Sequence, residues 1–302
     1  MIVYSIEGCG SGMADGIASR LGAKSAVIHR KTFPDGEHYL QVRDSKEKDG
    51  TAVLVCSMYP DQNDRFLDIL LASDALRRSG AAEILLTAPY LSYARQDRIF
   101  LDGEALSASV VGGAFRTAGI SKVLTVEAHS REALAALGVE TVNISAEAEM
   151  AGFLKGGGTV PEVIAASDMG TYARAKRIAD SIGAELIAFE KERDRHTGKA
   201  TSTLSTDVNL EGKAVTLIDD MISSGGTIMN AATEILRRGA KEVNALCVHA
   251  LLVGNAEEKL KGCGVKSISG SNSIENKFAA YDVGEAISRR IGSIRQMQEA
   301  GV

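Results

Sequence analysis

The segment VTLIDDMISSGGT, residues 215–227, runs from a buried strand into a helix. Val215–Ile218 is rich in β-branched side chains and suits a strand covered on both faces. Asp219 and Asp220 stand at the carboxyl end of that strand, a Ser/Gly/Thr loop follows, and a helix begins near Thr227. A helix N-terminus behind a glycine-rich loop is an anion site, because its free N–H groups and its dipole favour phosphate. Gly225 and Gly226 let the backbone come close to the anion, and Ser223, Ser224 and Thr227 add hydroxyl donors. Two carboxylates cannot grip a phosphate, but they suit sugar hydroxyls or a hydrated Mg2+ beside it. The combined demand is a sugar phosphate.

The same alternation recurs on either side. Strand-like runs at 52–57, 83–88, 122–126, 163–166, 185–189, 214–218 and 243–248 are interspersed with amphipathic stretches at 64–79, 171–182 and 227–238. This pattern predicts an α/β protein built on mainly parallel sheets flanked by helices. A weak internal repeat predicts two such domains. GTAVLV at 50–55 and GKAVTL at 212–217 each open a strand, a loop and a helix, and the helices end in RRSGA at 77–81 and RRGA at 237–240. The boundary is expected after the strand-like ETVNI at 140–144, giving domains 1–144 and 145–302. The two loops differ in chemistry, with CSMYPDQND after the first strand and DDMISSGGT after the second.

A chain of 302 residues fits two domains at roughly 150 residues each. With 45% apolar and 24% charged residues it has the composition of a folded globular protein. A net charge of -5 gives no overall attraction to nucleic acid, so no such partner is expected and any anion site must be local. Apolar stretches such as ILLTAPYL at 84–91 fall well short of the ~20 residues that span a bilayer, so no membrane partner is expected either. The N-terminal MIVYSIEG has neither the basic flank nor the apolar length of a signal peptide. Cys9, Cys56, Cys247 and Cys263 are scattered without metal-type spacing and read as reduced thiols of a cytoplasmic protein.

Four further segments carry chemistry. PYLSYARQDR at 89–98 places Arg95, Gln96, Asp97 and Arg98 after a strand, and paired guanidinium groups suit a polyphosphate. FPDGE at 33–37 joins Phe33 to the carboxylates of Asp35 and Glu37 around a turn. VEAHS at 126–130 and SDMG at 167–170 put His129 and Asp168 just past strands, where ligands of open α/β sheets bind. FEKERDRHTGKA at 189–200 alternates charge, and Lys191 and Arg193 share one side of an extended chain. His29, His38, His196 and His249 read as structural.

Taken in this order, the motifs resemble the ribose-phosphate pyrophosphokinase family over nearly the whole chain, at the compact length of its archaeal-type members. The resemblance implies two tandem type I phosphoribosyltransferase-like domains, with ATP-site elements in the first and the ribose 5-phosphate loop in the second. It implies ATP and ribose 5-phosphate as substrates, Mg2+ as cofactor, and a homo-oligomer, at least a dimer with a shared ATP site and up to a hexamer. It further implies that Phe33, Asp35 and Glu37 hold adenine across a subunit interface and that Arg95, Gln96 and Asp97 contact ATP. By the same resemblance His129 and Asp168 hold metal, Lys191 and Arg193 stabilise the transferring group, Asp219 and Asp220 grip the ribose hydroxyls, and residues 223–227 hold the 5-phosphate. Two departures stand out: Glu127-Ala128-His129 replaces the usual Asp-Leu-His, and Ser223-Ser224 stands where Asp-Thr is common. A phosphoribosyltransferase that consumes the activated sugar needs only one such domain. A non-catalytic regulatory homologue is expected to lack the Lys-x-Arg pair or the metal residues, and both are present here.

Overall fold

The computed structural model describes residues 1–43, 50–157, 160–193, 200–205 and 207–300, without the side chains of 190–193, 200–203, 205, 298 and 299. The chain forms two compact units. The first holds β1 (Ile2–Ile6), α1 (Ser11–Leu21), β2 (Lys24–Thr32), β3 (His38–Gln41), β4 (Thr51–Val55), α2 (Gln62–Arg78), β5 (Glu83–Thr87), α3 (Ser107–Thr117), β6 (Lys122–Val126), α4 (Arg131–Leu137) and β7 (Glu140–Ile144). Among the described residues its sheet runs β3-β2-β1-β4-β5-β6-β7 and is parallel except for the β2–β3 hairpin. Strands β1 and β4 are almost wholly apolar because helices cover both faces of the sheet. On one face Ile6, Ile28, Leu54 and Leu86 pack with Ile69 and Leu76 of α2 and Phe115 of α3.

The second unit holds α5 (Glu147–Gly156), β8 (Val163–Ala166), α6 (Tyr172–Ile182), β9 (Glu185–Arg193), β10 (Ala200–Ser205), β11 (Ala214–Ile222), α7 (Gly226–Arg237), β12 (Glu242–Ala250), α8 (Ala256–Gly262), β13 (Val265–Ser271) and β14 (Ala279–Tyr281). Its strand order, β10-β9-β8-β11-β12-β13-β14, repeats that of the first sheet place for place, again with one antiparallel hairpin, β9–β10. The internal repeat in the sequence is therefore a repeat of topology. Val163, Phe189, Val215, Leu217 and Val243 form its core with Ile228 and Ile235 of α7.

One expectation needs correction. Residues 283–300, which are expected from the sequence to lie in the second domain, belong to the first unit, as do residues 273–275. The helix α9 (Gly284–Glu299) packs on α1. Ile287, Ile291 and Ile294 are buried at helical spacing and give α9 the apolar stripe that this docking needs. The counterpart after β7 is α5, which packs on α6 of the second unit. Each sheet's last strand thus leads into a helix that completes the other unit.

Candidate active site

In each sheet the strand order reverses once, between β1 and β4 in the first unit and between β8 and β11 in the second. The crevice outside the carboxyl ends of such strands is where open α/β sheets bind ligands. In the second unit Asp168 follows β8 by two residues. Its Oδ1 accepts from the Thr171 N–H at 3.1 Å, and the Thr171 hydroxyl donates to the Asp168 carbonyl at 2.9 Å, so a closed turn fixes the carboxylate before α6 begins.

The acidic pair lies inside a strand rather than beyond one. β11 runs on to Ile222 because β12 continues beside it, with Asp219 opposite Cys247 and Met221 opposite His249. Neighbouring residues of a strand point to opposite faces. Asp219 is buried and Asp220 is half-buried. The Asp220 N–H donates to Asp219 Oδ1 at 2.8 Å, and the Met221 N–H donates to Asp220 Oδ1 at 2.7 Å. Burial, and then the negative charge of Asp220, push the Asp219 carboxyl well above the ordinary carboxylate range; a bond from Ser167 opposes the rise and the charge of Asp168 adds to it. The sequence reading missed Ser167, a wholly buried hydroxyl that steadies this carboxylate. Its only signal was its place next to Asp168 at a strand end.

Past Ile222 the chain turns through Ser223 and Ser224 into α7, capped by Gly225 at φ 79° with no side-chain bond to the first turn. The Val253 N–H donates to the Ser223 carbonyl at 3.0 Å and steadies the turn. Ser224 is exposed, Gly226 and Thr227 are half-buried, and the first turn of α7 opens toward this loop. Lys191 and Arg193 end β9, the Lys191 backbone opposite Ser202; their side chains, and residues 194–199 of the charge-alternating segment, lie outside the described residues.

In the first unit Arg95 and Gln96 are exposed in the loop after β5, and Ala108 N–H donates to the Gln96 carbonyl at 3.3 Å. Asp97 is half-buried and accepts from the Ser130 hydroxyl at 2.5 Å. Ser130 also caps α4 by accepting from the Ala133 N–H at 2.9 Å. Asp97 therefore ties the arginine loop to the residue after His129, which is itself exposed. Glu127 is buried at φ 43° and accepts from the Ser145 hydroxyl at 2.9 Å, so the longer acid turns into the protein.

Phe33–Glu37 form the tip of the β2–β3 hairpin, closed by the Phe33 N–H donating to the Glu37 carbonyl at 2.7 Å. Phe33 is exposed, with Tyr39 edge-on at 6.2 Å and the Lys31 ammonium 5.0 Å from its ring centroid. A buried network pins the hairpin to α2: wholly buried Asp68 bonds His38 Nδ1 at 2.7 Å and Arg30 Nε at 2.9 Å. The hairpin lies at the β3 edge of the sheet, whereas Arg95 and His129 follow β5 and β6 toward the opposite edge. The first unit thus brings Asp97 and the His129 segment together and leaves Phe33 apart.

Tandem sheets of repeated order, one carrying an acidic strand end and a glycine-capped helix, define a pair of type I phosphoribosyltransferase-like domains. A profile described as the N-terminal domain of ribose phosphate pyrophosphokinase matches residues 1–119, and one described as a phosphoribosyl transferase domain matches residues 146–283. The ribose-phosphate pyrophosphokinase of Sulfurisphaera tokodaii is 35% identical over 93% of this chain and 97% of its own length. That of Saccharolobus solfataricus is 34% identical over 92% of this chain and 96% of its own. In fold, the chain is similar to the crystal structure of phosphoribosylpyrophosphate synthetase from Mycobacterium smegmatis, with a TM-score of 0.82 over 98% of this chain and 99% of that one at 23% identity. The chain belongs to the ribose-phosphate pyrophosphokinase family and is an enzyme of that type. Among the described residues no helix is long and apolar enough to cross a membrane.

Proposed function

We propose that the enzyme transfers the diphosphoryl group of ATP to the 1-hydroxyl of ribose 5-phosphate, giving 5-phosphoribosyl 1-pyrophosphate and AMP. The observation that carries this reading is the β11–α7 connection, where an acidic pair and a glycine-capped helix N-terminus without a side-chain cap bond follow one another within a few residues. The first turn of α7 and residues 223–227 hold the 5-phosphate, while Asp219 and Asp220 accept from ribose hydroxyls. The ribose 1-oxygen attacks the β-phosphorus, the bond from that phosphorus to the α–β bridging oxygen breaks, and AMP leaves. Such transfer depends on positioning and charge stabilisation more than on covalent catalysis. Lys191 and Arg193, two residues apart on β9, are proposed to supply positive charge, and Arg95 with Gln96 to support the ATP phosphates.

The residues suit Mg2+. Asp168, Asp219 and Asp220 offer hard oxygen donors; burial first, and then the Asp220 charge, lift the Asp219 carboxyl, and a nearby cation would relieve the repulsive part. Among the described residues no group of three or more His, Cys, Asp or Glu is arranged to hold a metal ion. Mg2+ in such enzymes is commonly held by one or two carboxylates plus substrate phosphates. Asp168 in the second unit and His129 in the first are each proposed as metal-holding residues, and a bound Mg2+ would neutralise charge on the phosphates. Phe33, Asp35 and Glu37 are proposed to receive adenine from a second copy of the chain, since the hairpin stands at the sheet edge away from Arg95. The active unit is then at least a dimer, in the cytoplasm.

Phosphorus NMR of the protein with ATP, ribose 5-phosphate and Mg2+ tests the reading. AMP and the 1-pyrophosphate are expected in equal amounts. Stoichiometric ADP would mean transfer of a single phosphoryl group and overturn it.

A further inference from the structure

The crevice of the first unit carries thiols where that of the second carries carboxylates. Cys9 lies in the loop after β1 and Cys56 directly after β4, the two strands at which the sheet order reverses. Their Sγ atoms are 2.6 Å apart. Cys56 is wholly buried, and Cys9 keeps 7% exposure. Both thiols also face the Ser57 carbonyl, Cys9 at 3.5 Å and Cys56 at 3.7 Å. Arg65 of α2 reaches the same loop: its Nη2 donates to the Gly8 carbonyl at 2.9 Å, while its buried Nε and Nη1 make no hydrogen bond. The bond from Cys56 and, more weakly, the Arg65 charge hold Cys9 below its ordinary thiol range, whereas the Cys9 contact and burial push Cys56 up. The two sulfurs differ in access: a small oxidant can reach Cys9, whereas Cys56 lies wholly inside.

We propose that Cys9 and Cys56 form a peroxide-reactive dithiol, a modification site that closes to an intrachain disulfide. The Cys9 thiolate attacks one oxygen of hydrogen peroxide, the O–O bond breaks, and hydroxide leaves to be protonated to water. Cys9 is then a sulfenic acid. The Cys56 sulfur attacks the Cys9 sulfur, the S–O bond breaks, and a second water departs with the Cys56 proton. Two thiols are oxidised and one peroxide is reduced to two waters. The slight exposure of Cys9 admits a small oxidant and screens out a bulky one such as glutathione disulfide. The bond joins the loop after β1 to a segment whose Met58 N–H donates to the Tyr90 carbonyl at 2.9 Å. It therefore fastens the base of the loop that carries Arg95.

The test treats the full chain with hydrogen peroxide, alkylates the remaining thiols and maps peptides by mass spectrometry without reduction. The expected product is a peptide pair joining Cys9 to Cys56, with two hydrogens lost per chain and restored by dithiothreitol. Cys56→Ser should abolish the link and accumulate a Cys9 sulfenic acid that dimedone traps. Cys9→Ser should abolish both, and Cys9→Ala, read alongside a circular-dichroism melt, separates lost chemistry from lost folding. Oxidation confined to Cys247 or Cys263, or a Cys9 that stops at sulfinic acid in the folded wild type, overturns the proposal. Faster reaction with glutathione disulfide than with peroxide overturns the choice of oxidant.

Discussion

The connection from β4 to α2 and the connection from β11 to α7 occupy the same place in two sheets of the same strand order. Both enter their helix through a left-handed residue, Asp61 at φ 62° and Gly225 at φ 79°. The side chains between differ: Cys56, Ser57 and Met58 in one, Asp219, Asp220, Ser223 and Ser224 in the other. The edge hairpins differ in the same way. One presents Phe33, Asp35 and Glu37, and the other ends its first strand in Lys191 and Arg193. The backbone thus supplies the crevice twice, and side chains distinguish the copy proposed to hold the sugar phosphate.

The largest difference is expected between the hairpins. Lys191 is proposed to act on charge that develops during transfer, and loss of one comparable electrostatic stabiliser costs about 10²–10³ in kcat. Lys191→Ala should lower kcat by that order with little change in KM for ATP. Phe33→Ala removes a stacking surface and should raise KM for ATP with a smaller fall in kcat. Steady-state kinetics at varied ATP separates the two. If both variants change the same constant, the hairpins do not divide catalysis and binding.

The strand ends give a pH-dependent contrast. The Asp219 carboxyl titrates above its ordinary value of 3.8 in the folded chain, because of burial first and the Asp220 charge next. Between those two values the folded chain binds more protons than the unfolded one, so stability falls as pH rises through the window. Above its folded-state value the ionised Asp219 is destabilising. Asp219→Asn should therefore raise Tm at pH above that value, and the gain should shrink as pH falls below it. The same variant should weaken ribose 5-phosphate binding in calorimetry. Cys56→Ser, after the matched strand, should show no such pH-dependent gain. A lower Tm for Asp219→Asn at pH above that value would mean that the carboxylate is stabilised as an anion.

Much of this was legible in the sequence, for local reasons. The helices expected at 64–79, 171–182 and 227–238 are α2, α6 and α7 to within two residues at either end, because amphipathic spacing, joined in α2 and α7 by a basic last turn, is a property of the segment itself. The extension of β11 through Asp219 and Asp220 was not legible, since it depends on β12 running alongside. Neither was the docking of α9, whose isoleucine stripe announces that a face is buried and not which partner buries it. Phe33 in an exposed turn was readable from FPDGE, but the Asp68–His38–Arg30 network that holds the turn joins residues from β2, β3 and α2. Cys9 and Cys56 looked scattered because 47 residues separate them; only the strand order brings them together.

The smallest effect concerns the helix entries themselves. A left-handed conformation costs a residue bearing a Cβ about 1–2 kcal/mol, with Asp and Asn the most tolerant. At Gly225 a Cβ adds a second penalty, since it would stand 3.2 Å from the side chain of Leu260, which is fully buried and has little room to withdraw. Gly225→Ala should therefore lower stability by about 1–2 kcal/mol or somewhat more, and should weaken ribose 5-phosphate binding through the displaced first turn of α7. Asp61 already meets the conformational cost in the matched position, is exposed, and makes no side-chain capping bond to α2. Asp61→Gly relieves that strain but frees the unfolded chain, and the opposing terms leave a net change well under about 1 kcal/mol. Urea unfolding at unchanged m-value measures both. A large gain from Asp61→Gly would mean that the first unit's loop is held under strain by its surroundings. A neutral Gly225→Ala would mean that the second unit's loop can reach α7 by another backbone route, and the matched geometry of the two connections would then be incidental to ligand binding.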